Sequence, residues 1–122
     1  MNDDQMHLSA DVVTDGFGVI AAAGYINNEG GQAIADAAHE LIDKGCETLL
    51  IDLDGTRIIN SIGVSILLEI MEKLLEDKGR LAFCNLTPTI SKTFEIMGLV
   101  QYASIYPDRQ TARAALTGHA VE

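Results

Sequence analysis

The sequence predicts an α/β fold: a mostly parallel central sheet, opened by an antiparallel hairpin, with helices packed on it. The first observation is order, because segments of strand type and helix type follow each other as β-β-α-β-α-β-α-β-α. The second is the Asp15-Gly16 pair, a turn signal between two strand-like runs. The third is size, since 122 residues make one ordinary domain with room for a core.

The strands are recognised by short runs of apolar and β-branched residues between turn signals. The run CETLLIDL is almost continuously apolar, which is typical of a strand buried on both faces. The predicted strands are His7–Thr14, Phe17–Ala23, Cys46–Leu53, Arg80–Asn85 and Tyr102–Tyr106.

The helices are recognised by apolar residues that recur every three or four positions, and by glycines that end the first three patterns. In the second helix, Ile62, Ile66, Ile70 and Leu74 form one stripe. The predicted helices are Glu29–Lys44, Ser61–Lys78, a third that starts at Pro88 after the cap Thr87 and ends before Gly98, and a fourth capped by Asp108 that runs to about Leu116. Met71, Phe94 and Met97 are expected in the core.

We therefore predict a single domain over residues 1–122, with an ordered part at about 7–117 and a frayed tail at 118–122. Eight basic and eighteen acidic residues give a net charge of −10, which disfavours nucleic acid and anionic lipid as partners. No apolar run reaches the roughly 18 residues that a membrane span needs, so we expect no membrane insertion. The acidic, polar start MNDDQMH lacks the features of a signal peptide, and we expect a cytoplasmic protein.

Two cysteines and three histidines bear on metal and redox chemistry. Cys46 opens one predicted strand and Cys84 lies inside another, so both are predicted to be buried free thiols of a cytosolic protein. Two thiols without a CxxC motif do not suit a zinc site. The histidines are scattered without ligand spacing. We therefore predict neither a metal site nor a cofactor.

The stretch LLIDLDGT raises the possibility of an enzyme. It resembles the first motif of haloacid-dehalogenase-type phosphatases, in which Asp52 would be the nucleophile and Asp54 the general acid/base. The further residues that this chemistry needs, a second-strand Ser or Thr, a Lys and paired metal-binding acids, do not follow at suitable places. The interpretation we prefer is that Asp52 accepts hydrogen bonds near a strand end and that Asp54-Gly55 forms a turn. We therefore expect that the protein is not an enzyme.

The residues from Asp52 to Gly63, DLDGTRIINSIG, resemble the STAS signature of the anti-sigma-factor antagonists, roughly D-L-S-G-V-x-F-I-D-S-S-G. The likeness extends over nearly the whole chain. Gly24–Asn27 resembles the family's G-x-[LI]-D, Leu86–Pro88 with Phe94–Leu99 resembles its third-helix segment, and Ile105–Asp108 resembles its closing segment.

The resemblance implies a function and a set of partners. In such bacterial proteins the helix start after the third strand carries a phosphorylatable Ser or Thr. The unphosphorylated protein binds an anti-sigma factor that is a serine kinase, phosphorylation cancels binding, and a cognate phosphatase restores it. By this resemblance the chain is expected to be an anti-sigma-factor antagonist, with ATP bound by its partner.

Three departures from the family pattern concern this switch. The Asp before the serines is Asn60, the second serine is Ile62, and the Asp after the second strand is Asn27. The resemblance leaves Ser61 as the phosphoacceptor, with Ser65 as a weaker second candidate. The departures favour an alternative, a non-phosphorylated scaffold in a stressosome-like assembly or a subunit of a membrane transport complex.

Physical chemistry agrees with a role for Ser61, because free N–H groups and the positive end of a helix dipole favour an added phosphate. A plain helix cap formed by Asn60 or Ser61 is the competing interpretation. Loops beyond strand ends favour binding in open α/β sheets. The predicted partner-binding residues around Ser61 are Tyr25, Asn27, Asn28, Asn60, Ile62, Gly63 and Val64.

Overall fold

The computed structural model of the protein describes residues 6–117. The predicted tail at 118–122 lies outside them. The strands are β1 His7–Thr14, β2 Phe17–Ile26, β3 Thr48–Ile59, β4 Arg80–Cys84 and β5 Ser104–Tyr106. The helices are α1 Asn28–Asp43, α2 Ser61–Glu76, α3 Pro88–Ile96 and α4 Arg109–Thr117, with a short 3-10 helix at Leu99–Gln101.

The five strands form one sheet in the order β1-β2-β3-β4-β5. β1 and β2 pair antiparallel through the turn at Asp15-Gly16, and the other neighbours are parallel. Gly16 supplies the left-handed backbone that the turn needs, with φ of 76°. The predicted fold class, a mostly parallel sheet opened by an antiparallel hairpin, is confirmed.

The two faces of the sheet are covered unequally. One face carries the main core, in which α1, α2 and α3 pack on β2, β3 and β4 around residues such as Ile34, Leu67 and Phe83. On the other face α4 contributes Ala112 to a smaller cluster with Phe17 and Leu50. Met71 and Phe94 lie in the core as predicted.

The third strand is longer than predicted, and the predicted turn at Asp54-Gly55 is wrong. β3 continues to Ile59 because it keeps pairing with β2 across two irregularities, with Ala23 opposite Gly55 and Ile26 opposite Ile59. A Cβ at position 55 would overlap the side chain of Ala23, so glycine here serves close strand contact and not a reversal.

Other differences concern the end of the third helix. Met97, predicted in the core, is 43% exposed, because α3 ends at Ile96 and Met97 is its C-terminal cap. Gly98 then turns the chain with φ of 81° into the 3-10 helix. The last strand is accordingly shorter than predicted and begins at Ser104.

The first strand forms an open edge of the sheet. In the described part of the chain β1 pairs only with β2, and all its residues except Val13 are exposed. Leu8 and Val12 are among the exposed large apolar side chains.

No helix within residues 6–117 combines the length and apolar character needed to span a membrane.

Candidate partner-binding site at two helix starts

Two neighbouring helices begin with the same four-residue pattern, Asn-x-x-Gly. In Asn27–Gly30 the Asn27 Oδ1 accepts a hydrogen bond from the Gly30 N–H at 2.9 Å. In Asn60–Gly63 the Asn60 Oδ1 accepts one from the Gly63 N–H at 2.8 Å. Each asparagine therefore caps its helix. Of the two residues considered as the cap of α2, Asn60 has that role and Ser61 is the first residue of the helix.

The glycines bring both helix starts against the end of β2. A Cβ on Gly30 would overlap the carbonyl oxygen of Tyr25, and a Cβ on Gly63 would overlap that of Ile26. The Ile26 carbonyl also accepts a hydrogen bond from the Asn60 N–H at 3.1 Å. Only glycine fits at these two positions without a backbone shift.

The first turns of α1 and α2 also lie against each other. A Cβ on Gly31 would lie 3.5 Å from the Gly63 Cα and 2.8 Å from the Ile66 Cδ1. The predicted proximity of the Tyr25–Asn28 region to the Ser61 region is therefore present. Both segments follow the carboxyl ends of neighbouring parallel strands, β2 and β3, where Tyr25 is in register with Ile58.

Ser61 is exposed at the start of α2. Its hydroxyl makes no hydrogen bond with residues 6–117, whereas its carbonyl accepts one from the Ser65 hydroxyl at 3.0 Å. Helix geometry leaves the N–H groups of Ser61 and Ile62 without intrahelical partners, and α2 has no acidic residue in its first turn. An anion added at Ser61 would therefore meet free donors and the positive helix end.

The other predicted partner-binding residues differ in accessibility. Ile62 is 52% exposed and Asn28 is exposed, whereas Tyr25, Asn27 and Asn60 are partly buried. Gly63 is buried, and Val64 is 1% exposed with its side chain in the core. The accessible surface at the helix starts therefore excludes the side chain of Val64.

Sequence reasoning missed one residue near this site. Ile58 is 56% exposed on the last part of β3, so a second large apolar side chain accompanies Ile62. It was missed because the strand was predicted to end at Leu53. The alignment of Arg57-Ile58-Ile59 with the family's x-F-I marks an apolar residue at position 58. The turn predicted at Asp54-Gly55 leaves that segment outside the predicted strand.

A separate polar cluster surrounds Asp52, which is 6% exposed. Its Oδ1 accepts hydrogen bonds from the Asp54 N–H at 3.1 Å and the Asn85 Nδ2 at 2.9 Å, and its Oδ2 accepts one from the Arg109 Nε at 2.9 Å. The predicted role of Asp52 as a hydrogen-bond acceptor is confirmed, but its predicted place near a strand end is wrong, because β3 continues to Ile59. Both oxygens are engaged, which opposes the use of Asp52 as a phosphatase nucleophile, while Asp54 is exposed on β3.

Two neighbours of this cluster have shifted pKa values. Burial, followed by the nearby Asp52 carboxylate, raises the pKa of the Cys84 thiol to about 12, so the thiol stays protonated at neutral pH. The Thr111 N–H, which donates to Asp108 at 2.7 Å, lowers the pKa of that carboxyl and marks it as the cap of α4.

Burial also raises the pKa of Cys46. Both cysteines are buried and free, as predicted, and residues 6–117 contain no cluster of three metal-ligating side chains.

The sheet order and the two matching helix starts define a class of protein. Its members are small α/β domains that present a polar helix start at the carboxyl ends of the parallel strands. The family model for the STAS domain matches residues 10–112. The chain belongs to the STAS domain family.

Individual relatives agree with this assignment. The "Putative anti-sigma factor antagonist BtrV" of Bordetella bronchiseptica is 27% identical over 110 residues, which cover 90% of this chain and 94% of that protein. An anti-sigma factor antagonist from Mycobacterium paratuberculosis superposes with a TM-score of 0.82 at 23% identity, covering 95% of this chain and 97% of the other.

The Bacillus anti-sigma factor antagonist SpoIIAA has been solved in two forms. The unphosphorylated form superposes with a TM-score of 0.80 at 22% identity, covering 94% of this chain and 100% of that one. The phosphorylated form superposes with a TM-score of 0.71 at 22% identity, covering 89% and 99%. At this identity the likeness to the solved structures establishes the fold.

Proposed function

We propose that this protein is an anti-sigma-factor antagonist that binds a serine-kinase-type anti-sigma factor and is released when that kinase phosphorylates Ser61. Membership of the STAS family and relatives named as anti-sigma factor antagonists support the proposal. The observation that carries it is the exposed Ser61 hydroxyl at the start of α2, free of hydrogen bonds to residues 6–117. The protein itself performs no catalysis in this mechanism.

The surroundings of Ser61 fit a switch that changes binding without unfolding the domain. The apolar side chains of Ile58 and Ile62 give a partner something to bury. A phosphate on Ser61 adds about −1.5 to −2 charges where the helix start tolerates an anion. A 100-fold loss of affinity needs only about 2.7 kcal/mol, which one desolvated, like-charged phosphate can supply.

Phosphorylation is tested first by intact mass. The serine kinase captured from the native host is incubated with this protein and ATP, and we expect a gain of about 80 Da, one phosphate. Ser61→Ala should abolish the gain. Ser65→Ala is the matched control, because Ser65 lies one turn later in the same helix and is also exposed; it should leave the gain unchanged. Modification that persists in Ser61→Ala would reject the assignment.

Binding is tested by titration calorimetry with the same partner. Ser61→Asp should weaken binding by about 100-fold or more. Its unfolding free energy should change by less than about 1 kcal/mol, since an acidic residue suits a helix start. Ser61→Ala should bind like the wild type. If Ser61→Asp and Ser61→Ala both bind like the wild type, Ser61 has only a structural role.

A second candidate function rests on the departures at Asn60 and Ile62. A STAS scaffold in a stressosome-like assembly, or a subunit of a membrane transport complex, would bind its partner constitutively. It would show no mass gain with the kinase and no loss of binding for Ser61→Asp. The two mutants and the mass measurement together separate the candidates.

A further inference from the structure

A second accessible apolar surface lies at the other end of α2. Residues 6–117 include nine large apolar side chains that are exposed. Two of them, Ile58 and Ile62, accompany Ser61, and two lie on β1. The remaining five belong to the last turn of α2, to the last residue of α3 or to the segment that follows α3, namely Leu75, Ile96, Met97, Val100 and Tyr102.

This surface contains a groove of about 470 Å³ between α2 and the end of α3 with the 3-10 helix. On the α2 side it is lined by Leu68, Met71 and Leu75, and on the other side by Met97 and Tyr102. Met71 is buried and forms part of the base, whereas Leu75, Met97 and Tyr102 are 42%, 43% and 61% exposed. α3 stops at Ile96, and Gly98, with φ of 81°, leads into the 3-10 helix that forms this side of the groove.

The α2 side of the groove is acidic. Glu72 lines the groove, and Glu69 and Glu76 lie three residues before and four residues after it, so they follow the same side of the helix. All three are exposed, and Lys73 is the single cation among them, which leaves a net charge of −2 on this rim. The opposite side contributes the uncharged Gln101.

We propose that this groove, Leu68–Leu75 with Met97–Tyr102, binds an amphipathic helix of a partner protein that carries basic residues along one flank. Apolar side chains of that helix would cover Leu75, Met97 and Tyr102, and the basic flank would face Glu72 and Glu76. Methionine suits such a surface because its flexible side chain adapts to different apolar shapes. A second copy of this chain is disfavoured, because each copy carries a net charge of −10 and the same acidic rim.

The groove is distinct from the helix starts. Leu75 is fourteen residues after Ser61 on a helix that rises about 1.5 Å per residue, so the two places are about 20 Å apart. The proposal does not require phosphorylation of Ser61. Failure of one of the two proposals therefore leaves the other intact.

The test uses a synthetic peptide of about 18 residues with leucines at helical i, i+3, i+4 and i+7 spacing and lysines beside them. A control peptide replaces each lysine by glutamate. Backbone amide NMR of the whole labelled protein should show saturable shifts within 68–76 and 96–102 for the lysine peptide. Its dissociation constant should be at least tenfold lower than that of the glutamate peptide. Equal binding of both peptides, or shifts centred on β1 or on Ser61, would overturn the proposal.

Two variants sharpen the result because they change exposed side chains and leave the core intact. The double variant Leu75→Gln and Met97→Gln should weaken the lysine peptide at least tenfold, whereas Leu8→Gln, the matched exposed apolar change on β1, should not. The double variant Glu72→Lys and Glu76→Lys should reverse the preference toward the glutamate peptide. Sedimentation velocity of the free protein should show a monomer. A dimer that is lost in the Leu75→Gln, Met97→Gln variant would show that the groove holds a second copy and would reject the proposed partner.

Discussion

The starts of α1 and α2 share one construction and present different chemistry. In both, an asparagine caps the helix through the N–H of a glycine three residues later, and that glycine lies against a carbonyl near the end of β2. Between cap and glycine, α1 has Asn28-Glu29, whereas α2 has Ser61-Ile62.

The difference between the two starts lies in the chemistry of their first turns. At α1 an acidic side chain already occupies the first turn, whereas α2 has none and instead exposes a hydroxyl beside an apolar side chain. The shared contacts hold both starts against the end of β2, and the two residues between cap and glycine give each start its own surface chemistry. The chemistry at α2 is therefore expected to change by substitution without disturbing the fold.

The largest effect on the free energy of unfolding is expected from substitutions that disturb the shared glycine contacts. Gly63→Ala places a Cβ on the Ile26 carbonyl oxygen, and we expect it to lower the unfolding free energy by about 3 kcal/mol or more. An ordinary helical Gly→Ala change would instead gain up to about 1 kcal/mol. Gly30→Ala should be similarly damaging, because its Cβ meets the Tyr25 carbonyl. Chemical denaturation measures both.

A control for this comparison lies on the exposed side of the same helix. Glu69→Ala should change the unfolding free energy by less than about 0.5 kcal/mol. If Gly63→Ala were as mild as Glu69→Ala, the close contact between α2 and β2 would not support the helix start.

An intermediate effect removes one cap at a time. Asn60→Ala should cost about 1 kcal/mol of unfolding free energy, and Asn27→Ala about the same, because each loses one side-chain hydrogen bond to a helix N–H. Asn60→Asp, which restores the family's residue, should retain the cap. A much larger loss for one asparagine than for the other would show that the two starts are not equivalent in support.

The smallest effect on stability should accompany a large effect on binding. Ile62→Glu makes the start of α2 resemble that of α1. Because Ile62 is half exposed, the unfolding free energy should change by less than about 1 kcal/mol. Affinity for the anti-sigma factor should fall at least tenfold. Glu29→Gln is the matched control at α1 and should bind like the wild type; unchanged binding of Ile62→Glu would remove the start of α2 from the partner surface.

Most of the fold was predictable from local signals. The Asp15-Gly16 turn predicted the hairpin, and the apolar stripe from Ile62 to Leu74 predicted α2. The errors arose where pairing or packing overrides a local signal. Asp54-Gly55 has turn-type residues, yet strand pairing with β2 carries the chain straight through. Met97 continues the apolar spacing of α3, but the helix ends one residue earlier.

The site was predictable in part. Asn60 and Ser61 could be placed at a helix start, because cap-type residues precede an apolar stripe. The close approach of Gly31 to Gly63 and of Gly63 to Ile26 depends on how α2 packs against α1 and β2. The spacing of residues in the sequence does not contain this information. The pairing of Asp52 with Arg109 likewise joins residues far apart in the sequence, and no local feature marks Arg109 as its partner.

The open edge at β1 has a consequence for handling concentrated protein. Eight residues of extended backbone offer hydrogen-bonding groups on their outer side, and Leu8 and Val12 leave apolar surface beside them. Natural sheets guard such borders with charges, and along β1 the charged side chain that does this at neutral pH is Asp11. Strand-to-strand aggregation through this border is therefore expected to increase in Asp11→Asn, which removes that charge, and Val12→Lys would be the simplest substitution that guards against it.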